Sequence, residues 1–307
     1  MEKNENVIVL GEDVGKNGGV FRATEGLYGE FGDKRVIDTP LSESGIIGVS
    51  IGLALYGFRP VAEIQFVDFI YPGFDQIVSE LSKIRYRSGG EYSAPVVIRA
   101  PYGGGIKGGP YHSQSPESFF AHIPGLKVAI PSTPSDAKGL LKTAMRDTDP
   151  VIFLEPKRLY RSFRGEVPDN DFAVPLGKAR IALEGRDISV FAYGSMVPVV
   201  LEAAQKGSEE GVSVEVIDLR SLIPLDTDTV LNSVRKTGRA VVAYEAPKIM
   251  GYGAEVAAFI AEEALDYLRA PPIRVGGFDT PFPYVHEHLF MPTPVRILKA
   301  IRKAAAY

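Results

Sequence analysis

The sequence predicts an α/β protein with two domains, each built around a mostly parallel sheet. Short apolar runs typical of strands alternate with amphipathic segments typical of helices along most of the chain. The length of 307 residues is sufficient for two hydrophobic cores. From residue 155 to about residue 178 this periodicity lapses, and Pro, Arg and Asp accumulate. We therefore predict a first domain over residues 1–178, with a linker from about residue 156, and a second domain over residues 179–307.

The composition excludes several classes of function. The formal net charge is -4, and apolar and charged residues make up 45% and 23% of the chain. A chain with these values has no excess of positive charge for binding nucleic acid or an anionic membrane. No apolar run reaches the length of a membrane span, and the first residues resemble neither a signal nor a transit peptide, so the cytoplasm is the expected location. The absence of cysteine excludes disulfides, thiol catalysis and cysteine-ligated metals.

The elements follow from the hydrophobic pattern. A short apolar strand opens the first domain and ends at Gly11, and a helix follows Ser42. The other predicted elements of this domain are strands at 36–38, 61–66, 95–100, 127–130 and 151–154, and helices at 68–87 and 134–146. In the second domain we predict strands at 188–193, 213–218, 240–244 and 273–275, and helices at 197–210, 227–237, 253–268 and 294–305.

The helix after Ser42 is the most informative element, because it carries almost no charge. Ser42 is a suitable N-cap, and Gly57 suits the left-handed position after the helix. Its apolar residues cover more than one face, so we expect the helix to be buried all round. Three glycines at three- and four-residue spacing would let another backbone or a ligand approach closely: Gly45, Gly48 and Gly52.

Glu43 stands at the start of this helix and has two interpretations. A carboxylate at that place commonly complements the positive end of the helix. Alternatively, an acid beside apolar surface has a raised pKa and can share a proton with a ligand. The surrounding glycines favour a site, without deciding between the two.

A second candidate is His112, in a long glycine-rich loop at residues 101–115. Such loops often cradle phosphates before a helix, but the spacing here matches neither a P-loop nor a dinucleotide fingerprint. The alternative is a flexible surface loop. His112 is followed by a Ser-Gln-Ser run that can fix its tautomer, which favours a functional role. We interpret His122 as a packed core residue, and we do not predict a metal at His286 and His288 because no supporting cluster accompanies them.

Seven sequence runs indicate a family. They are VIVLGEDVG, DTPLSESGIIGVSIG, AEIQFVDFIYPGFDQI, KIRYRSGG, YHSQSPESFFAHIPGLKV, VIDLRSLIPLD and GFDTPFPYVHEHLFMP. Together they closely resemble the β subunit of a thiamine-diphosphate-dependent 2-oxo acid dehydrogenase, the decarboxylating first component of the pyruvate or branched-chain complex. The resemblance covers essentially the whole chain. It implies a transketolase-type pyrimidine-binding domain followed by a transketolase C-terminal α/β domain.

The resemblance also implies roles for individual residues. Glu43 matches the glutamate that hydrogen-bonds the aminopyrimidine ring of the cofactor and favours the tautomer that removes the thiazolium proton. Phe69 matches the aromatic residue against the pyrimidine, where many relatives have Tyr, and Leu41 and Gln65 match its neighbours. His112 resembles the histidine that handles protons during decarboxylation or acyl transfer to lipoamide.

Two ions are implied by the same resemblance. Positions that bind a structural potassium ion, chiefly through carbonyl oxygens, match Val96, Ala144, Asp147 and Asp149. The alternative for these residues is simply a helix end beside a strand. The family's Mg²⁺ and cofactor diphosphate are held by a Gly-Asp-Gly motif, and this chain contains none.

The missing motif implies a partner. A second polypeptide, the α subunit, would supply the diphosphate half of the site in an α₂β₂ heterotetramer, and a lipoyl-bearing acyltransferase core would accept the acyl group. One departure concerns the start of the chain: relatives usually have an extra helix before the VIVLGEDVG run, which here follows only six residues.

Other functions remain open at this stage. One alternative is a transketolase or deoxyxylulose-phosphate-synthase type of transferase, which shares the fold. Another is a non-catalytic scaffold subunit of a large complex, although a scaffold has no reason to keep both Glu43 and His112. The substrate is not readable from the residues, because pyruvate and branched-chain 2-oxo acids differ by a few methylenes, each worth about 1 kcal/mol of discrimination. The overall similarity of the motifs slightly favours a branched-chain 2-oxo acid.

Overall fold

The computed structural model describes every residue from Met1 to Tyr307. Its strands are β1 (Val7–Gly11), β2 (Val36–Asp38), β3 (Arg59–Glu63), β4 (Val97–Tyr102), β5 (Lys127–Ala129), β6 (Val151–Pro156), β7 (Arg180–Leu183), β8 (Ile188–Ala192), β9 (Val214–Asp218), β10 (Ser221–Ile223), β11 (Ala240–Pro247) and β12 (Ile273–Gly277). Its α-helices are α1 (Leu27–Phe31), α2 (Glu43–Leu55), α3 (Ile84–Arg87), α4 (Glu117–Ala121), α5 (Pro134–Arg146), α6 (Met196–Glu209), α7 (Thr227–Thr237), α8 (Gly253–Glu263), α9 (Glu287–Phe290) and α10 (Pro294–Ala305).

Two sheets organise these elements, as the alternating pattern predicts. The first has seven strands in the order β10-β5-β6-β4-β3-β1-β2, and the second has five in the order β12-β11-β8-β9-β7. All neighbouring strands are parallel except β10 beside β5 and β7 beside β9. Parallel strands need both faces covered, and helices lie on both faces of each sheet. The α/β prediction is therefore confirmed.

The two sheets share one continuous apolar core. Helix α2 packs on one face of the first sheet, and α7 and α8 pack on the facing side of the second. Tyr102 and Tyr193 are fully buried where these layers meet. Helix α5 covers the opposite face of the first sheet, and α6 and α10 cover the opposite face of the second. The site residues therefore lie on a rigid double-layered scaffold.

Strand β10 was not predicted, and it crosses between the halves of the chain. It follows β9 of the second sheet, yet it pairs with β5 at the edge of the first sheet. Between β6 and β7 the chain has one helical turn, Lys157–Leu159, and is otherwise irregular. The domain boundary at residues 178 and 179 stays a prediction.

Helix α2 begins after the predicted N-cap, but it is not buried all round. Its sheet-facing side is buried, whereas Val49 on the other side is 57% exposed and Gly45 and Gly52 are exposed. No other element of the chain covers that side, so the expectation from the apolar composition is wrong. A helix that is apolar on an exposed side has the composition of an interaction surface.

The predicted helix at 68–87 is broken into shorter pieces. Single 3₁₀ turns occupy Val67–Phe69 and Tyr71–Gly73, a π-helical turn occupies Gln76–Glu80, and α3 follows a further 3₁₀ turn. Pro72 lacks the N–H that a continuous helix needs. The break places Phe69 in a turn at the end of the segment that follows β3. None of the helices has the length and apolarity to cross a lipid bilayer.

Candidate functional site

Glu43 is the first residue of α2. The side-chain oxygen of Ser42 accepts a hydrogen bond from the Gly45 N–H at 3.3 Å, which confirms the predicted cap. Glu43 is 8% exposed, and its carboxylate makes no hydrogen bond or ion pair with the rest of the chain. The residue as a whole is buried, but its carboxylate oxygens keep contact with solvent and have no hydrogen-bond partner in the chain. Its position is therefore suited to a ligand that donates a hydrogen bond.

The carboxyl edge of the first sheet brings further polar residues to Glu43. Strands β1 and β3 are adjacent and parallel, so Glu12 and Asp13, after β1, lie near Gln65, after β3. The Gln65 amide donates to Asp13 Oδ2 at 3.1 Å. Burial raises the pKa of Glu12, and the neighbouring negative charges of Glu43 and Asp13 raise it further. Glu12 and Asp13 were not predicted, although carboxylates directly after a buried parallel strand are a recognisable signal.

His112 lies against two aromatic rings. Its ring is edge-to-face with Phe66 at a centroid distance of 4.7 Å and with Phe69 at 5.3 Å. Phe66 and Phe69 also contact each other, at 5.5 Å. The structure thus brings the predicted aromatic residue, Phe69, and the predicted histidine together. Rings packed in this way restrict the rotamers of His112.

The predicted tautomer contact is absent. The ring nitrogens of His112 make no hydrogen bond within the chain, and the Gln114 amide instead donates to the Pro110 carbonyl at 2.8 Å. The expectation that the Ser-Gln-Ser run fixes the tautomer is therefore wrong. His122 is exposed at the C-cap of α4 rather than packed in the core, so that interpretation is also wrong.

The glycines of the His112 loop serve close packing. A Cβ atom on Gly104 would lie 2.5 Å from Phe282 Cζ, and one on Gly105 would lie 2.6 Å from Arg158 Cβ. Gly109 has a φ of +67°, and a Cβ atom there would lie 3.2 Å from Tyr284. The loop is therefore seated on the second domain, and neither a flexible surface loop nor a phosphate cradle explains its composition.

Lys157 is a site residue that sequence reasoning missed. It is 3% exposed, its ammonium lies 5.4 Å from the Phe66 ring centroid, and the nitrogen has no hydrogen-bond partner. Burial lowers the pKa of Lys157 to about 8, against the opposing effect of nearby carboxylates, chiefly that of Asp68. Lys157 lies in the segment directly after β6, and the hydrophobic pattern of that segment did not indicate that it would come close to Phe66.

An exposed apolar patch adjoins Glu43. Leu41, just before the helix, is 79% exposed, and Val49 lies on the open side of α2. Tyr71 and Phe119 are also exposed, and their rings are 6.4 Å apart. The turn at Tyr71–Gly73 packs on the first turn of α2, so these residues form one surface. We call Leu41, Val49, Tyr71 and Phe119 the apolar rim.

The residues matched to a potassium site do lie together, but cations already occupy their carboxylates. The Asp147 carboxylate accepts from the Lys127 ammonium at 2.7 Å, and Asp149 is paired with Arg85 at 2.5 Å. The Val96 carbonyl accepts from a neighbouring strand, and the Ala144 carbonyl accepts from the Asp147 N–H. These ion pairs concern side-chain carboxylates, whereas the matched positions would bind the ion chiefly through carbonyl oxygens, so the potassium site stays a prediction.

Two further features lie outside the site. No group of three or more His, Asp or Glu side chains is arranged to hold a metal, and His286 and His288 form no such cluster. A cavity of about 830 Å³ opens on the α5 face of the first sheet and is lined by Val61, Phe153 and Arg99 among others. It contains none of the predicted site residues, so we do not assign the chemistry to it.

Comparison with known proteins decides the family. Residues 1–162 match the transketolase pyrimidine-binding domain, and residues 177–297 match the transketolase C-terminal domain. The chain is 52% identical to the 2-oxoisovalerate dehydrogenase subunit beta of Bacillus subtilis, covering 100% of this chain and 95% of the relative. It belongs to the β-subunit family of the thiamine-diphosphate-dependent 2-oxo acid dehydrogenases.

Other relatives of this family agree. The mitochondrial 2-oxoisovalerate dehydrogenase subunit beta of Dictyostelium discoideum is 52% identical, covering 100% of this chain and 83% of the relative. The pyruvate dehydrogenase E1 component subunit beta of Bacillus subtilis is 51% identical, covering 100% and 95%. A solved structure described as "Split gene transketolase, inactive beta4 tetramer" matches with a TM-score of 0.82 and 26% identity over 99% of this chain and 93% of its own. The resemblance and the transketolase-type fold are thus confirmed.

Proposed function

We propose that this 2-oxo acid dehydrogenase β subunit forms the pyrimidine half of an active site that an α subunit completes. The observation that carries the proposal is Glu43, a largely buried residue whose carboxylate has no hydrogen-bond or ion-pair partner in the chain and borders the apolar rim. A carboxylate in that setting suits a hydrogen-bonding ligand on one side and a second polypeptide on the other.

The residues present fit thiamine diphosphate. When bound, the cofactor supplies the carbanion stabilisation that decarboxylation of a 2-oxo acid requires. Glu43 would accept a hydrogen bond from the pyrimidine ring and share a proton with it. If the partner subunit covers the apolar rim and excludes water from Glu43, that interaction is stronger than it would be in water.

Three other residues would orient the pyrimidine. Phe69 presents an aromatic ring that already packs on His112, and without a hydroxyl group it contributes stacking only. Gln65 is fixed by its bond to Asp13, and Leu41 extends from the entrance of α2 towards solvent. Exclusion of water by Leu41 would require the partner subunit to cover it.

His112 is the proposed group for proton handling during decarboxylation or acyl transfer to a lipoyl group. Its ring nitrogens have no partner in the chain, so both are available to substrate. The Phe66 and Phe69 rings hold the imidazole in one place, and an imidazole has nitrogens that can accept and donate a proton, as this role requires.

The α subunit is the proposed source of the Mg²⁺ and diphosphate contacts. This chain has no Gly-Asp-Gly motif, and no cluster of acidic side chains or histidines takes its place. The apolar rim gives the partner a surface beside Glu43. An α₂β₂ heterotetramer docked on a lipoyl-bearing acyltransferase core is the proposed assembly. The solved relative described as an inactive β tetramer supports the idea that a β chain alone is inactive.

A structural potassium ion at the carbonyl oxygens of Val96, Ala144, Asp147 and Asp149 stays part of the proposal, with Lys127 neutralising the Asp147 carboxylate beside it. The transferase alternative has less support, since the dehydrogenase relatives are 51–52% identical and the transketolase structure only 26%. The cytoplasm remains the proposed location, on composition alone.

Two substrates stay in the proposal. The sequence favoured a branched-chain 2-oxo acid, and the branched-chain and pyruvate relatives from Bacillus subtilis are 52% and 51% identical, which does not separate them. The testing experiment is co-expression of this chain with a candidate α subunit that carries the Gly-Asp-Gly motif. Dye-linked decarboxylation of pyruvate and 3-methyl-2-oxobutanoate is then measured with thiamine diphosphate and Mg²⁺.

We expect activity in the mixture and none in either chain alone, with the preferred substrate given by the ratio of kcat/KM. A well-formed heterotetramer without activity on either acid would overturn the catalytic proposal and favour the scaffold alternative.

A further inference from the structure

The loop that carries His112 is held by carboxylates from both domains. On the far side of His112, Asp68 Oδ1 accepts from the backbone N–H groups of Ser113 and Gln114, at 3.1 and 3.0 Å. Asp68 belongs to the 3₁₀ turn that also carries Phe69. One end of the loop is therefore fixed to the same turn that packs on the His112 ring.

The near side of the loop is held by the second domain. The two carboxylate oxygens of Glu287 accept from the Gly105 N–H at 3.0 Å and from the Lys107 N–H at 2.9 Å. Glu245, on β11, accepts from the Gly104 N–H and from the Ser195 hydroxyl. Hydrogen bonds to an ionised carboxylate are stronger than those between neutral groups, so these contacts can fix a loop that is irregular apart from the 3₁₀ turn at Gly109–Tyr111.

Glu287 is itself rigidly placed. It is 8% exposed and begins α9, whose last residue, Phe290, packs on Phe282 at a ring distance of 4.6 Å. Phe282 lies directly against Gly104, where no Cβ atom would fit. The segment around α9 thus contacts the loop through both packing and hydrogen bonds.

Between these two anchors, Gly109 packs on Tyr284, and the segment at Ile106 and Lys107 is the exposed part of the loop. Ile106 and Lys107 are exposed, and Lys107 has a φ of +56°, a backbone conformation that is unfavourable for a lysine. Such a conformation persists only when its surroundings impose it. The Lys107 N–H donates to the Glu287 carboxylate, and this hydrogen bond holds the Lys107 backbone where it lies.

We propose that Glu287 is a positioning residue for His112: the second domain sets the position of the histidine through the Gly105 and Lys107 backbone. This inference rests on the role proposed above for His112. Glu287 touches neither His112 nor the pyrimidine residues, and it acts through the loop. Through Glu287, the second domain would also help to position a catalytic side chain of the first domain.

The test compares Glu287→Ala and Glu287→Gln with a control, Glu262→Ala, at an exposed position of α8 that makes no ion pair. Cleavage by trypsin after Lys107 and hydrogen exchange at Gly105 and Lys107 are measured on the full chain and on the heterotetramer. The kcat and the Kd for thiamine diphosphate are measured on the heterotetramer.

For Glu287→Ala we expect cleavage after Lys107 to rise about tenfold, as for loss of a charge-assisted hydrogen bond that closes the loop. We expect kcat to fall about 10²-fold, as for a catalytic group misplaced by about 1 Å. The Kd should be unchanged, since Glu43 is untouched. Glu287→Gln keeps one acceptor oxygen and should lie between the wild type and Glu287→Ala, which also guards against a folding defect in the alanine variant.

Unchanged cleavage and exchange in Glu287→Ala would overturn the anchoring. Increased cleavage with unchanged kcat would overturn the positioning of His112. Both results differ from failure of the proposed function, in which the wild-type heterotetramer has no activity while the cleavage assay still reports on the loop.

Discussion

The ring of His112 packs edge-to-face against the ring of Phe69, with 5.3 Å between the centroids. Phe69 comes from the turn after β3, and His112 comes from the glycine-rich loop after β4. Neighbouring parallel strands bring these two segments to one edge of the sheet. Phe69, the proposed pyrimidine contact, and His112, the proposed proton-handling group, therefore line the same side of the site. A substitution of either residue is expected to shift the side chain of the other.

The first prediction concerns this histidine. His112→Asn should lower the kcat of the reconstituted heterotetramer by about 10²–10⁴-fold, the usual contribution of a general acid–base group. Binding of thiamine diphosphate, measured by fluorescence titration, should change little because Glu43 remains. The control is His122→Asn, since His122 is exposed at the C-cap of α4. Equal kcat values for the two variants would remove His112 from the mechanism.

The second prediction concerns the cap of the helix that carries Glu43. Ser42→Ala removes the acceptor for the Gly45 N–H and should cost about 1 kcal/mol of stability. For a chain of this size the melting temperature should fall by about 2 °C. Ser44→Ala is the matched control, because Ser44 is exposed and its hydroxyl makes no hydrogen bond. A larger effect for Ser44→Ala than for Ser42→Ala would contradict the assigned cap.

The third prediction concerns Glu117, which bridges the two domains. Its Oε1 accepts from the Tyr193 hydroxyl at 2.7 Å. Burial raises the pKa of Glu117 from 4.5 to about 8. The folded chain therefore holds this proton more tightly than the unfolded chain. Its contribution to stability is full below pH 4.5 and is lost as the pH rises to about 8, by up to about 1.4 kcal/mol per pH unit.

Glu117→Gln keeps an acceptor for Tyr193 and removes the titration. The melting temperature of the variant minus that of the wild type should increase from pH 5 to pH 8. Thermal unfolding followed by circular dichroism at four pH values in that range would measure it. A difference that stays constant with pH would show that Glu117 is not the titrating group.

Much of the fold was readable from the sequence because it depends on local pattern. Helices α5, α7 and α10 have the predicted limits, since a Thr or Asp cap precedes each helix and its apolar residues lie on one side. The sequence did not show whether the outer side of α2 is buried within the chain. An apolar helix buried in its own chain and one covered by a partner have the same composition. Strand β10 was missed because its three residues carry no periodic signal.

The site was readable only in part, for a similar reason. Glu43, Phe69 and His112 stand in specific runs, so their proximity followed from the resemblance. The environment of His112 depends on contacts between distant segments, with Phe66 on one side and Glu287 anchoring the loop on the other. Lys157 lies near Phe66 and Glu12 lies near Glu43 only in the folded chain. Nothing in the sequence indicated which residues these two would contact.

The central claim is that Glu43 of this chain serves a cofactor bound jointly with an α subunit. The most direct measurement is the decarboxylation rate of heterotetramers carrying wild-type β, Glu43→Gln or the exposed control Glu30→Gln, with thiamine diphosphate binding measured alongside. We predict that Glu43→Gln assembles normally and loses activity by about 10²-fold or more, while Glu30→Gln behaves as the wild type. Normal decarboxylation by the Glu43→Gln heterotetramer would contradict the claim.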